Sequence, residues 1–309
     1  MTVHHEVANK RIKTKVSQTA SYTCFCRACA SVERDKRFRG PDDISRSFVP
    51  FLPRILFLKC GPLRTLAMKR LGPRGIYEYV SARTKLFDEV YRKSLADSCE
   101  QAVILGAGFD TRAVRYHGAN CGTRIFEVDT PVTQQMKKLL LERNGIVVPG
   151  EVTFVPVDFT GDDLAAALDR AGYRADRKTL FLCEGVTMYL PEAAVRRLLA
   201  FIRENAASGN LLIFDYVRSS VLRHENTLYG EKAIHRTVTR ANERWVFGIE
   251  DGFIDTFLGR HGFTLTDHYS PADLQRRFLT AADGTAFGRI NETHCIAIAA
   301  PALPGRVIQ

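Results

Sequence analysis

The stretch Val103-Ile-Leu-Gly-Ala-Gly-Phe-Asp-Thr-Arg112, followed by Ile125-Phe-Glu-Val-Asp129, holds residues whose types and spacing suit nucleotide chemistry. An apolar run leads into Gly106 and Gly108, which free the backbone to turn and to approach a ligand closely. A short helix over 110–117 and a second apolar run over 123–128 then deliver two acids, Glu127 and Asp129. Carboxylates at the carboxyl end of a parallel strand suit ribose hydroxyls. Asp129 follows Gly108 by 21 residues, close to the roughly 20 that separate glycine turn and ribose acid in dinucleotide folds. Spacing alone therefore leaves the cofactor open. The third glycine of a G-x-G-x-x-G turn is missing, since Thr111 occupies its place, and Asp110 would repel a pyrophosphate from the helix start. The same carboxylate suits a cofactor bearing an ammonium and a sulfonium, so S-adenosyl-L-methionine fits better than NAD.

Three further segments, Ser81-Ala-Arg83-Thr84-Lys-Leu-Phe-Asp88, Val157-Asp158-Phe159 and Cys183-Glu184-Gly185-Val-Thr-Met-Tyr-Leu190, join the acid pair at 127–129. With Leu105–Arg112 they resemble, in order and over roughly residues 75–300, the leucine carboxyl methyltransferase family. These are class I S-adenosyl-L-methionine-dependent methyltransferases with a bacterial branch of small-molecule O-methyltransferases. Phe159 stands where many members have leucine, a conservative change.

The resemblance implies a role for each motif. Gly106 and Gly108 let the methionine portion lie against backbone, Asp129 takes both ribose hydroxyls, and Asp158 with the Phe159 backbone meets the adenine. Glu184 faces the cofactor ammonium, beside Asp110, and Arg83 grips its carboxylate as a charge-assisted fork. Each has a plainer rival: Arg83 and Asp88 as a solvated helix face, Asp158 as a helix cap, Tyr189 as a core aromatic. In-line methyl transfer needs an acceptor oxygen held close and stripped of water. A carboxylate needs no base; a hydroxyl needs one, for which His235, His261, His268 and His294 are candidates. Tyr189 and His294 are also candidate substrate contacts, and no metal site is expected.

The elements that must position these residues alternate after residue 100 between apolar runs and helical stretches, the pattern of a parallel sheet wrapped by helices. Strands are expected near 101–105, 123–128, 152–157, 179–183, 210–216, 263–269 and 294–300, with Pro131 and Pro191 in first helical turns. The expected fold is α/β, a seven-stranded Rossmann-like sheet with helices on both faces and a late hairpin. Residues 1–100 read as a helical cap integral to the domain, and 217–260, with Trp245 and Phe247, as an insertion between the fifth and sixth strands of a core at 101–309. In family members such a cap and insertion build the substrate pocket.

Composition bounds the partners. The chain is 45% hydrophobic and 25% charged, which is ordinary globular composition. The net charge of +10 arises entirely in residues 1–100, where 20 Lys and Arg face 10 Asp and Glu. That excess reads as a solvated face with a basic tail, Lys10–Lys15, or as a cap that draws in an acidic small-molecule acceptor. Eight scattered cysteines and no apolar leader suggest a reducing cytoplasm. Cys24, Cys26 and Cys29 lack a second CxxC or a histidine pair at zinc spacing, and read as buried, inert thiols. Residues 48–68, broken by Pro50, Pro53, Arg54, Lys59 and Pro62, cannot span a bilayer; they read as a lid over the pocket or a surface resting on membrane. No motif suggests nucleic acid. The two rival functions are a non-catalytic cofactor-binding module, since methyl transfer has no obligatory side-chain signature, and an NAD-dependent oxidoreductase.

Overall fold

A computed structural model describes residues 16–302 apart from 121, 206 and 242; the Lys10–Lys15 tail lies outside the described residues. Seven strands, β1 (Gln101–Leu105), β2 (Arg124–Asp129), β3 (Val152–Pro156), β4 (Thr179–Cys183), β5 (Leu211–Val217), β6 (Phe263–Tyr269) and β7 (His294–Pro301), form one sheet in the order β3-β2-β1-β4-β5-β7-β6. The first five pair in parallel, and β7 runs antiparallel between β5 and β6. Strand order reverses between β1 and β4, so a crevice opens at their carboxyl ends, where open α/β sheets bind ligands.

The period-2 alternation of side chains sorts the core into two layers. From β1, Ala102 and Ile104 enter one buried cluster while Val103 and Leu105 enter the other. The first layer is covered by the longer helices α1 (Gln18–Ala30) and α2 (Ile76–Ala96). In α2, Leu86, Phe87 and Tyr91 are wholly buried, each contributing about 2 kcal/mol of apolar transfer. The other layer is covered by α4 (Glu192–Glu204), through Val195, Leu198, Leu199 and Ile202. Helix α3 (Pro131–Arg143) follows β2, α5 (Glu231–Ala241) lies between β5 and β6, and α6 (Pro271–Phe278) between β6 and β7.

Local sequence fixes the element ends. The Ser17 hydroxyl caps α1 by accepting from Ala20 N at 3.1 Å, and Ser270 with Asp273 forms a capping box for α6. Gly75 turns into α2 at φ +74°, with Asn291 N only 2.4 Å from where a Cβ would lie. Pro131 occupies the first turn of α3, whereas Pro191 is the N-cap of α4, one position outside the expected turn. The expected helix over 110–117 is split: Arg112–Arg115 is one α turn and His117–Ala119 a 3-10 turn.

Candidate functional site

The carboxyl ends of β1, β2 and β4 open into a cavity of about 510 Å³, within the range of small-ligand sites. Every residue expected to bind cofactor lines it: Arg83, Gly106, Gly108, Asp110, Asp129, Asp158, Phe159 and Glu184. Tyr189 and His294 line it as well. None of residues 48–68 does, so that segment is not its lid. The expected insertion contributes Ile234, Val238, Glu243 and Trp245, and α1 contributes Thr19, Tyr22 and Thr23.

Gly106 sits at φ +65°, and a Cβ there would come within 2.3 Å of Val186 Cγ2. Only glycine leaves backbone open to the cavity at that point. Asp129 is held from behind: Oδ2 accepts from Gly108 N at 2.5 Å and Oδ1 from Thr130 N at 2.6 Å. Oδ1 also meets the Thr130 hydroxyl at 3.2 Å, whereas Oδ2 keeps a second lone-pair direction for a ligand hydroxyl. Burial raises the Asp129 pKa, against the lowering effect of those backbone donors. Glu127 does not share the site. It is buried and ion-paired to Lys137 of α3, so of the two acids only Asp129 lines the cavity.

The end of the cavity beside Arg83 is a buried ion network. Glu184 is ion-paired with Arg83 Nε at 3.0 Å and Arg112 Nη1 at 2.8 Å, and Asp215 accepts from Arg83 Nη1 at 2.6 Å. Asp215, without solvent exposure, also accepts from Tyr79 Oη at 2.9 Å and Gly185 N at 2.6 Å. Burial works against the Arg83 charge, but Asp215 and Glu184 outweigh it and hold the guanidinium above its ordinary pKa. Glu184 stays below the usual carboxylate range: burial opposes ionisation, and Arg112 and Arg83 overcome it. Asp110 binds Arg112 through its backbone N at 2.7 Å and its guanidinium; against the cost of burial, Arg112 lowers it to about 2. Asp88 is buried too, gripping Arg112 at 2.7 Å and Arg115 at 2.7 and 2.9 Å, so Arg83 and Asp88 are no solvated face.

At the end of the cavity that follows β3, Asp158 Oδ1 accepts from Thr160 N at 2.9 Å and Thr160 Oγ1 at 2.6 Å, closing a turn. The next helix, Leu164–Arg170, is capped by Asp163 instead. At the opposite end, the His294 ring stacks on Tyr79 at 4.4 Å and meets Trp245 edge-on at 5.1 Å. Thr293 Oγ1 donates its proton to Asn291 Oδ1, so its 2.7 Å contact with His294 Nδ1 is an N–H donated by the ring. That assigns the lone pair to Nε2. Burial, then Arg83, depresses the His294 pKa to about 3. Burial raises Tyr189 to about 12, against Thr19 and Trp245. The other three candidate histidines lie outside the cavity lining: His235 stacks on His224, His261 bonds Phe257 O, and His268 bonds Tyr216 Oη.

Sequence reasoning missed Asp215, Arg112, Arg27 and Glu243. Asp215 had a signal, a lone acid in the apolar strand Leu211-Leu-Ile-Phe-Asp-Tyr-Val217. Arg27 is buried between Asp42 at 2.8 Å and Phe109 O at 2.6 Å. Cys24, Cys26 and Cys29 are buried, and burial raises all three thiols, which disfavours the thiolate form. Among the described residues, no group of three or more His, Cys, Asp or Glu is arranged to hold a metal, and no helix is long and apolar enough to cross a membrane.

The lining fits S-adenosyl-L-methionine on its own terms. Three arginines face five carboxylates, so the cavity is net negative and suits a cationic ligand, while Gly106 leaves room for its backbone-hugging portion. A glycine turn after β1, an acid after β2 and a crevice at the strand reversal define a class I methyltransferase architecture. Residues 27–203 match the leucine carboxyl methyltransferase family model, and the chain belongs to that family. It is 31% identical over 256 residues to a Frankia alni protein named for S-adenosyl-L-methionine-dependent methyltransferase activity, covering 80% of this chain and 83% of that protein. It is 27% identical over 236 residues to one from Bacillus subtilis, covering 76% of each. Solved structures share the fold: a DUF574 family protein from Streptomyces avermitilis (TM-score 0.61, 14% identity, 94% of this chain and all of that one) and a protein described as a methyltransferase from Thermobifida fusca (0.58, 14%, 93% and 98%). This chain is therefore an S-adenosyl-L-methionine-dependent methyltransferase.

Proposed function

We propose that the enzyme transfers a methyl group to an oxygen of a small metabolite, by in-line attack inside the cavity between α1, α5 and the carboxyl ends of β1 and β4. When bound, S-adenosyl-L-methionine supplies an electrophilic methyl on a sulfonium that leaves as a neutral thioether. Gly106 and Gly108 let it approach backbone, Asp129 orients its ribose, and Asp158 with Phe159 takes the adenine. Glu184 receives the ammonium, with Asp110 fixing Arg112 behind it, and Arg83 pairs with the carboxylate while Asp215 holds its other edge.

The observation that carries the acceptor side is His294. Its Nε2 lone pair is fixed by the Thr293–Asn291 chain, within a ring cage of Tyr79 and Trp245. Of the two acceptor types open from sequence, this favours a hydroxyl. A buried neutral imidazole accepts the hydroxyl hydrogen and aims the oxygen lone pair at the methyl. Transfer would discharge the positive charge of the sulfonium, and a proton arriving at Nε2 would keep the net charge of the cavity constant. That constancy offsets the low basicity of the ring. Tyr189 is a second polar contact for the acceptor. We take the compartment to be the cytoplasm, the reading that the scattered cysteines of the sequence favour.

The test is methyl-labelled cofactor with a panel of hydroxyl and carboxylate metabolites. Mild alkali then separates products, because methyl esters hydrolyse and methyl ethers do not. An alkali-stable O-methyl product, lost in His294→Gln at unchanged cofactor affinity, is expected. Labelled product on nitrogen or sulfur overturns the reading, as does an ester formed equally well by both proteins.

A further inference from the structure

From Ile44 to Tyr77 the chain carries seven lysines and arginines and no aspartate or glutamate. The run folds as short turns, with Phe51–Pro53 continuing into a π-helical turn at Arg54–Leu58 and Gly61–Thr65 into another at Leu66–Leu71. Nine large apolar side chains are exposed among the described residues, and five come from this run: Phe51, Leu52, Ile55, Leu56 and Leu66. Phe51 and Leu52 keep 68% and 64% of their surface exposed. Such side chains mean little when scattered, but a cluster marks a binding face. The inner side of the run is firmly seated, with Phe57 edge-on to Phe25 of α1 at 5.5 Å and Arg64 buried against Glu33 at 3.3 Å. The apolar outer side is thus not a consequence of poor packing.

We infer that this face docks the enzyme on an anionic membrane surface. Arg54 lies over the Phe51 ring at 5.9 Å, and Lys59 and Arg70 are exposed, with no acid in the run to neutralise them. A second copy of the chain would bring the same positive excess against it. Residues 1–15, with Lys10, Arg11, Lys13 and Lys15 against Glu6 alone, also have the wrong sign to cover it. Nucleic acid matches the charge but gives Phe51 and Leu52 nothing apolar to enter. An anionic bilayer surface accepts both, taking the apolar side chains below the headgroups and the cations at their level. The location has a functional consequence. Helix α1 carries Phe25 against the basic run and lines the cavity through Thr19, Tyr22, Thr23 and Arg27, so the docked bilayer lies behind the cavity wall.

The experiment is co-sedimentation of the full chain with vesicles of phosphatidylcholine alone and of phosphatidylcholine mixed with phosphatidylglycerol. The protein is expected to bind the mixed vesicles and to be released by salt. Phe51→Ser with Leu52→Ser is expected to abolish binding, and Lys59→Gln and Arg70→Gln each to weaken it about fivefold, all with unchanged cofactor affinity. Absence of binding to mixed vesicles overturns the inference, as does equal binding to both vesicle types or by the serine variant. Sedimentation velocity supplies the remaining arm: a dimer that the serine variant dissociates assigns the face to self-association and overturns docking on lipid.

Discussion

Gly106→Ala tests the cavity at its tightest point. The substitution asks an L residue to hold φ +65°, which costs about 1–2 kcal/mol in the left-handed region. The new methyl also lies 2.3 Å from Val186 Cγ2. Val186 is buried and branched at Cβ, so its χ1 is stiff and cannot swing the methyl away freely. Overpacking of this kind costs about 1–3 kcal/mol, giving a combined loss of about 2–5 kcal/mol. Any relief by rotating Val186 pushes a methyl into the cavity, so cofactor affinity falls together with stability. Val186→Ala alone removes two methyl groups' worth of burial, about 2 kcal/mol. In the double variant, however, the clash is gone while the backbone strain remains. Urea unfolding of the four proteins then gives a favourable coupling of about 1–3 kcal/mol, and cofactor affinity partly recovers, read by fluorescence of Trp245, the only tryptophan in the chain. Strict additivity of the two substitutions, or a Gly106→Ala protein as stable as wild type, refutes the reasoning.

Two other predictions follow from the same site. The folded pKa of His294, about 3, lies below the roughly 6.5 of an unfolded histidine. The unfolded chain therefore binds a proton that the folded one refuses. Its contribution is complete above pH ~6.5 and falls as pH drops toward the folded value, by about 3 kcal/mol near pH 4.5. Unfolding midpoints measured across that window are expected to fall less steeply in His294→Gln, and identical slopes contradict the assignment. The buried Glu243 carboxylate accepts from Gln18 N at 2.8 Å, Thr19 N at 3.2 Å and Ser17 Oγ at 3.3 Å, tying the α5 side of the cavity to the start of α1. Glu243→Ala is expected to raise amide exchange at Gln18 and Thr19 about tenfold, as loss of a cap does; unchanged protection would show that the tie bears no load.

The sheet was legible because its strands are mostly parallel and buried on both faces, so they appear in sequence as continuous apolar runs. All seven expected strands agree with the structure to within a residue at each end, including β6 with its register shift near Leu265. The motif residues converged because they sit at strand ends on one side of a strand-order reversal, a consequence of topology that spacing can express. What stayed hidden depends on distant partners. Glu127 and Asp129 differ by two positions and share a face, yet Lys137, reaching in from α3, takes one and leaves the other. The clasp of Glu243 on α1 joins residues 225 apart from Gln18, and no local pattern announces it. Residues 48–68 had two readings in sequence, and their absence from the cavity lining removes the lid.

Calorimetric titration of S-adenosyl-L-methionine into wild type and Asp129→Ala tests most directly whether this cavity holds the cofactor. Wild type is expected to bind in the micromolar range. The variant, folded by circular dichroism, is expected to bind at least about a hundredfold more weakly, since two charge-assisted hydrogen bonds of about 1.5–3 kcal/mol each are lost. A folded Asp129→Ala protein that binds as tightly as wild type contradicts the site.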